Sequence, residues 1–155
     1  MVNIYFLDTS ALVKRYVTEI GSVWVQNLTD PLLGNALLIV RITWVEVLSA
    51  LARRQREGSL TSTEVTDTIR LFRGELNSRY RVMEVDSIVL ERAGELILQY
   101  PLRAYDAVQL ASALRLQSLF SQMTNIQLVF VSADDRLLHI AQSEGLVTEN
   151  PNSYP

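Results

Sequence analysis

The sequence has no cysteine and a single histidine, His139. The first absence removes disulfides, thiolate zinc sites and cysteine nucleophiles together. The second removes any multi-histidine metal centre within one chain. A metal held here would need oxygen ligands, which favours hard ions such as Mg²⁺ or Mn²⁺. No run of about 18 apolar residues occurs, so no membrane-spanning helix and no membrane association are expected. The opening, Met1-Val2-Asn3-Ile4-Tyr5-Phe6-Leu7-Asp8, has no basic leader and does not read as a signal peptide, so a cytoplasmic location is expected. A net charge of −3 excludes a polybasic nucleic-acid binder; any contact with a polyanion must come from a local basic rim. There is no P-loop GxxxxGK[ST]. An aspartyl-phosphate phosphatase wants a second Asp two places after Asp8, where Ser10 stands. A receiver fold wants an acidic pair at the end of the first strand, where only Asp8 is found.

What is present is an ordinary globular composition. Of 155 residues, 48% are apolar and 20% charged, enough for a real core. The expected organisation is one domain over residues 1–150, followed by a short polar tail at 151–155 containing Pro151 and Pro155. Apolar runs at Ile4–Leu7, Leu37–Val40, Val82–Val85 and Leu128–Val131 read as strands, with Leu146–Thr148 as a last edge strand. Between them lie helical stretches: Ala11–Tyr16, 21–29 up to the Asp30-Pro31 break, Trp44 to about Glu57, Thr61 to about Tyr80, Ser87–Gln99, Ala104–Leu119 and Asp134–Ala141. Thr61-Ser62-Thr63-Glu64 is a capping-box pattern. Alternating strands and helices predict an α/β fold with a parallel sheet covered on both faces, in which ligands bind beyond the carboxyl ends of the strands.

Four acids stand at strand-to-helix or loop-to-helix transitions: Asp8, Glu46, Asp106 and Asp134. Each has an ordinary structural explanation. Asp8 and Asp134 can cap the helices that follow them. Thr43-Trp44-Val45-Glu46 is itself a capping-box pattern, and Asp106 in a first turn suits the helix dipole. Together the four point further. Carboxylates meeting at one rim repel each other, and a divalent cation relieves that repulsion while sharing oxygens with phosphate. Glu46 is also flanked by Trp44, Val45, Val47 and Leu48, where a carboxylate needs a partner or becomes protonated.

These acids stand inside recognisable strings. Tyr5-Phe6-Leu7-Asp8-Thr9-Ser10-Ala11-Leu12-Val13-Lys14 resembles the opening of PIN domains, especially the VapC-like toxins of type II toxin-antitoxin systems. Trp44-Val45-Glu46-Val47 is similar to the family's second acidic position. Arg103-Ala104-Tyr105-Asp106-Ala107-Val108-Gln109-Leu110-Ala111-Ser112-Ala113 resembles the third motif, and Phe130-Val131-Ser132-Ala133-Asp134-Asp135-Arg136-Leu137 the fourth. The resemblance covers nearly the whole chain. It implies a three-layer α/β/α PIN-like fold with a central parallel sheet of about five strands, and a Mg²⁺- or Mn²⁺-dependent endoribonuclease. It also implies a small antitoxin partner and a homodimer, with candidate surfaces on the helices at 10–30 and 61–80. By matching motifs, Asp8, Glu46, Asp106 and Asp134 become the candidate catalytic and metal-site residues. Ser10 and Ser132 become supporting hydrogen-bond partners, with Ser132 standing where Thr is common. Asp135 adds a neighbouring carboxylate, with Asp134 favoured by position. Lys14, Arg15 and Arg103 are candidate phosphate contacts, set against solvated helix surface. Arg53, Arg54 and Arg56 read as a helix C-terminus that suits its dipole, and His139 as surface or packing. The alternatives are a solitary PIN nuclease in RNA processing or decay, and a scaffold that binds RNA or protein without cutting.

Overall fold

In the computed structural model, which describes residues 1–155, five strands form one parallel sheet. They are β1 (Val2–Leu7), β2 (Ala36–Val40), β3 (Arg81–Met83), β4 (Ile126–Val131) and β5 (Val147–Glu149), in the spatial order β3-β2-β1-β4-β5. Seven helices connect them: α1 (Thr9–Tyr16), α2 (Ser22–Leu28), α3 (Thr43–Arg56), α4 (Ser62–Glu75), α5 (Ser87–Gln99), α6 (Ala104–Phe120) and α7 (Asp135–Ser143). This is the three-layer α/β/α arrangement that the alternation predicts.

The central strands carry apolar runs because both sheet faces are covered, and alternate residues feed two cores. Phe6, Leu38, Val40, Leu128 and Phe130 pack toward α5, α6 and α7, with Phe6 and Phe130 stacked at 5.7 Å. Leu7, Leu37, Ile39, Val129 and Val131 pack toward α1, α3 and α4. On this second side Tyr16, Trp44 and Tyr80 surround the fully buried ring of Phe72.

Helix α4 ends at Glu75, earlier than the pattern up to Tyr80 predicts, and residues 76–79 turn. The turn brings Tyr80 back to α1, where its hydroxyl meets that of Tyr16 at 2.7 Å. The polar tail is also tied down. Pro151–Ser153 form a 3-10 turn, and Tyr154 stacks on Trp24 at 5.0 Å with an interplanar angle of 5°. Gly21 is needed here twice over. Its φ is +83°, and a Cβ would lie 2.5 Å from the Pro151 carbonyl oxygen. No helix is long and apolar enough to cross a membrane.

The topology positions the site. From β1 the chain crosses to β2 on one side, and β4 returns on the other. The crevice between β1 and β4 is therefore a switch point, where open parallel sheets bind ligands. Asp8 follows β1 and Ser132 follows β4, with the Asp8 amide still donating to Val131 O at 3.1 Å.

Candidate active site

Asp8 is 4% exposed and held by three donors. Its Oδ1 accepts from Ser10 Oγ at 2.7 Å and from the Ala11 amide at 2.9 Å, and its Oδ2 accepts from Ser132 Oγ at 2.7 Å. The expected cap on α1 is real, yet it uses one oxygen only. Ser10 and Ser132 bridge the crevice. Their hydroxyls are 3.3 Å apart, Ser10 Oγ accepts from the Ala133 amide, and Ser132 Oγ accepts from the Asp134 amide. Burial pushes the Asp8 carboxyl up to about 6 against the pull of these hydrogen bonds, and the charge of Asp106 adds to the rise.

Asp134 caps α7 through Oδ1, which accepts from the Arg136 and Leu137 amides, so Oδ2 is left without a protein hydrogen bond. Asp135 turns elsewhere and accepts from Asn150 Nδ2 at 2.7 Å; it does not line the cleft, whereas Asp134 does. Asp106 lies in the first turn of α6, half-buried, with Arg103 3.6 Å from its Oδ2. Burial raises its pKa, Arg103 offsets part of this, and the charge of Asp134 raises it further.

Glu46 does not close the capping box that its sequence suggests. The N-cap of α3 is Ile42, with no side-chain cap. The carboxylate instead points across to α6, where Oε1 accepts from Gln109 Nε2 at 2.7 Å. Burial raises its pKa, partly offset by Gln109, and the charge of Asp106 raises it again. Gln109 is the functional candidate that sequence reasoning missed. It is 1% exposed, and its Nε2 lies within hydrogen-bond reach of Thr9 Oγ1, Thr43 Oγ1 and Glu46 Oε1, while its Oε1 is buried without a partner. Its position three residues after Asp106 puts it one turn along the same helix face, which is the one signal that the sequence offered.

All four acids line a single cleft of about 530 Å³, together with Gln109, Lys14, Glu19, Arg53, Arg54 and Arg103. No three carboxylates are drawn together tightly enough to make a finished ion cage. Asp106 nonetheless acts as the electrostatic hub, since its charge raises both Asp8 and Glu46 and is itself opposed by Asp134. The donor set is all oxygen, and it includes carboxylate oxygens without protein partners.

The basic candidates separate. Arg103 lines the cleft, largely exposed. Lys14 also lines it, but it is 5% exposed and its Nζ binds Ile20 O at 2.7 Å and Glu19 Oε1 at 3.2 Å. Arg15 is not brought to the cleft. Its guanidinium grips Glu75 through two hydrogen bonds of 2.9 and 3.0 Å and donates to Thr29. His139 is exposed on α7. Arg53 and Arg54, read from sequence as helix-end surface, are part of the cleft wall.

The model of the PIN domain family matches residues 5–142. The chain belongs to the PIN-domain family. Ribonuclease VapC45 of Mycobacterium tuberculosis is 39% identical over 114 residues, covering 74% of this chain and 76% of that protein. Among solved structures, M. tuberculosis VapC20, described as a sarcin-ricin loop cleaving toxin, matches with a TM-score of 0.64 at 16% identity, over 97% of this chain and 99% of that one. VapBC2 of Rickettsia felis, solved bound to a promoter DNA fragment, matches with a TM-score of 0.63 at 16% identity, over 95% and 98% of the two chains. At such identities the structural matches establish the fold alone.

Proposed function

We propose that this PIN domain is a divalent-metal-dependent endoribonuclease with Asp8, Glu46, Asp106 and Asp134 as its metal-binding and catalytic carboxylates. The observation that carries the reading is the electrostatics of the cleft. Three of the four carboxyls are raised by burial and by one another, and oxygen ligands of this kind fit Mg²⁺ or Mn²⁺. The residues fit the ion by their chemistry, since the four carboxylates line one cleft and Asp134 keeps an oxygen free of protein hydrogen bonds. When bound, such an ion supplies charge neutralisation at the phosphate and acidifies water. The chain does the rest. Ser10, Ser132 and the Ala11 amide fix Asp8, Gln109 aims Glu46, and Arg103 offers a cation beside the phosphate.

VapC45 is named a ribonuclease, and a Klebsiella pneumoniae structure of the same fold is a toxin-antitoxin complex. The chain is accordingly read as the toxin of such a pair, cytoplasmic, masked by a small antitoxin protein and paired as a homodimer. The deciding experiment is cleavage of a structured RNA by purified protein with Mg²⁺. The wild type should cut; EDTA or Asp106→Asn should abolish cutting at least a hundredfold. Equal cleavage by wild type and Asp106→Asn would sink the assignment and leave a binding scaffold.

A further inference from the structure

The cleft extends beyond the acids. Glu46, Ser49, Ala50 and Arg53 all line it and are spaced i, i+3, i+4 and i+7, so one face of α3 forms its floor for about 10 Å along the helix. Small side chains at Ser49 and Ala50 keep that floor low. At the far end stand Lys14, Arg53, Arg54 and Glu19.

Charge is not balanced there. Glu19 bridges two cations, with Oε1 on Lys14 Nζ at 3.2 Å and Oε2 on Arg54 Nη2 at 3.0 Å. Lys14 is 5% exposed, and burying an ammonium costs heavily unless it is paired. Arg53 is exposed beside them and pairs with no carboxylate. Within the lining of this cleft three cations thus share one acid, at the end of a groove that begins at the candidate catalytic centre, while Glu64 and Asp67 line the adjoining cavity with Glu19 and Arg54. A strut between the α1–α2 connection and α3 would explain Glu19 alone. It would not explain Arg53 or the open groove that joins this end to Glu46.

We propose that Lys14, Arg53 and Arg54 form a subsite for an RNA backbone phosphate flanking the one that is cut, and that Glu19 occupies the subsite until phosphate displaces it. The proposal rests on the ribonuclease reading above. A phosphodiester brings one negative charge and two acceptor oxygens suited to arginine. Glu19 keeps a side chain 30% exposed, so it can swing outward.

The test measures binding of a short fluorescein-labelled single-stranded RNA in Ca²⁺ over a range of salt, and KM and kcat for cutting in Mg²⁺. Arg53→Gln, at an exposed position, should weaken binding about tenfold, flatten the log–log salt slope by about 0.7 and raise KM with kcat little changed. Glu19→Gln should tighten binding several-fold and steepen the slope, even if the loss of the strut lowers its melting temperature. Affinities of both variants within twofold of wild type, with wild-type cleavage intact, would overturn the subsite and leave the nuclease standing. So would a Glu19→Gln protein that is less stable and binds RNA more weakly. A wild-type protein that neither binds nor cuts RNA would overturn both.

Discussion

Gln109 shows how a neutral side chain can set the behaviour of a charged one. Its amide nitrogen has two protons and three oxygen acceptors in reach, and the shortest contact is to Glu46. The buried Oε1 without a partner is a cost that the fold accepts for this arrangement. Partners that orient ligating carboxylates typically matter tenfold or more in metal affinity. Gln109→Leu should therefore weaken Mn²⁺ binding by about tenfold, and it should cost about 1–3 kcal/mol of stability because Thr43 Oγ1 and Glu46 Oε1 lose their donor. Calorimetric titration and urea melts would check the two halves; unchanged Mn²⁺ affinity would assign Gln109 to packing alone. Asp8 and Asp134 were legible in the sequence because a strand followed by an acid and a helix is a local pattern. Gln109, Arg53 and Arg54 were not, because their roles depend on how α3 lies against α1 and α6, which no local pattern encodes. Glu46 was half legible. Its sequence suggested a self-contained cap, and a contact with a residue 63 positions away replaced it.

At the scale of elements, helix α1 is held from both ends. Its N-terminus is capped by Asp8, and its C-terminal turn is clamped to α4 through Glu75, which accepts from Arg15 twice and from Tyr16 Oη at 2.6 Å. The Arg15 and Tyr16 partners pull the Glu75 carboxyl below its usual range despite its burial, which by itself would raise it. Both side chains of the Arg15–Glu75 pair are 16% exposed, so removing one leaves the other desolvated and unpaired. Glu75→Ala should cost about 3 kcal/mol and loosen α1, the helix that carries Ser10 and Lys14. Chemical denaturation measures the loss, and a change below about 1 kcal/mol would show the clamp to be replaceable by water. The same clamp explains why α4 is shorter than its pattern predicts. The helix stops at Glu75 to let 76–79 turn and Tyr80 reach Tyr16, a tertiary demand that overrides local periodicity. Strands, by contrast, were readable one by one, since a sheet buried on both faces leaves continuous apolar runs. Their spatial order was not, and that order is what puts β1 beside β4.

For the whole molecule, the cleft is a balance between folding and binding. Five carboxylates and four cations line it, and burial first, then mutual repulsion, makes the ionised carboxylates of the metal-free site strain the fold. Asp8 makes the strain measurable. Its carboxyl is raised from 3.8 to about 6 in the folded protein, so the folded state holds the proton more tightly than the unfolded chain does. Its contribution to stability is fully present below about pH 4 and is lost as pH rises through 6, a total change on the order of 3 kcal/mol. Glu46 and Asp106 shift in the same direction, whereas Glu75 and Asp86 shift the opposite way, so the raw pH profile mixes the two. The difference between Asp8→Asn and wild type isolates the site. In EDTA the variant should match wild type near pH 4 and become the more stable protein by a few kcal/mol at pH 7.5, less whatever the amide loses in hydrogen bonds to Ser10 and Ser132. Saturating Mn²⁺ should reverse that order, because it stabilises only a protein that can bind it. Thermal melts at the two pH values, with and without Mn²⁺, give the answer. A variant that shows no pH-dependent gain, together with a wild type that gains nothing from Mn²⁺, would mean that these acids serve only their own helices and side-chain partners and happen to face one cleft.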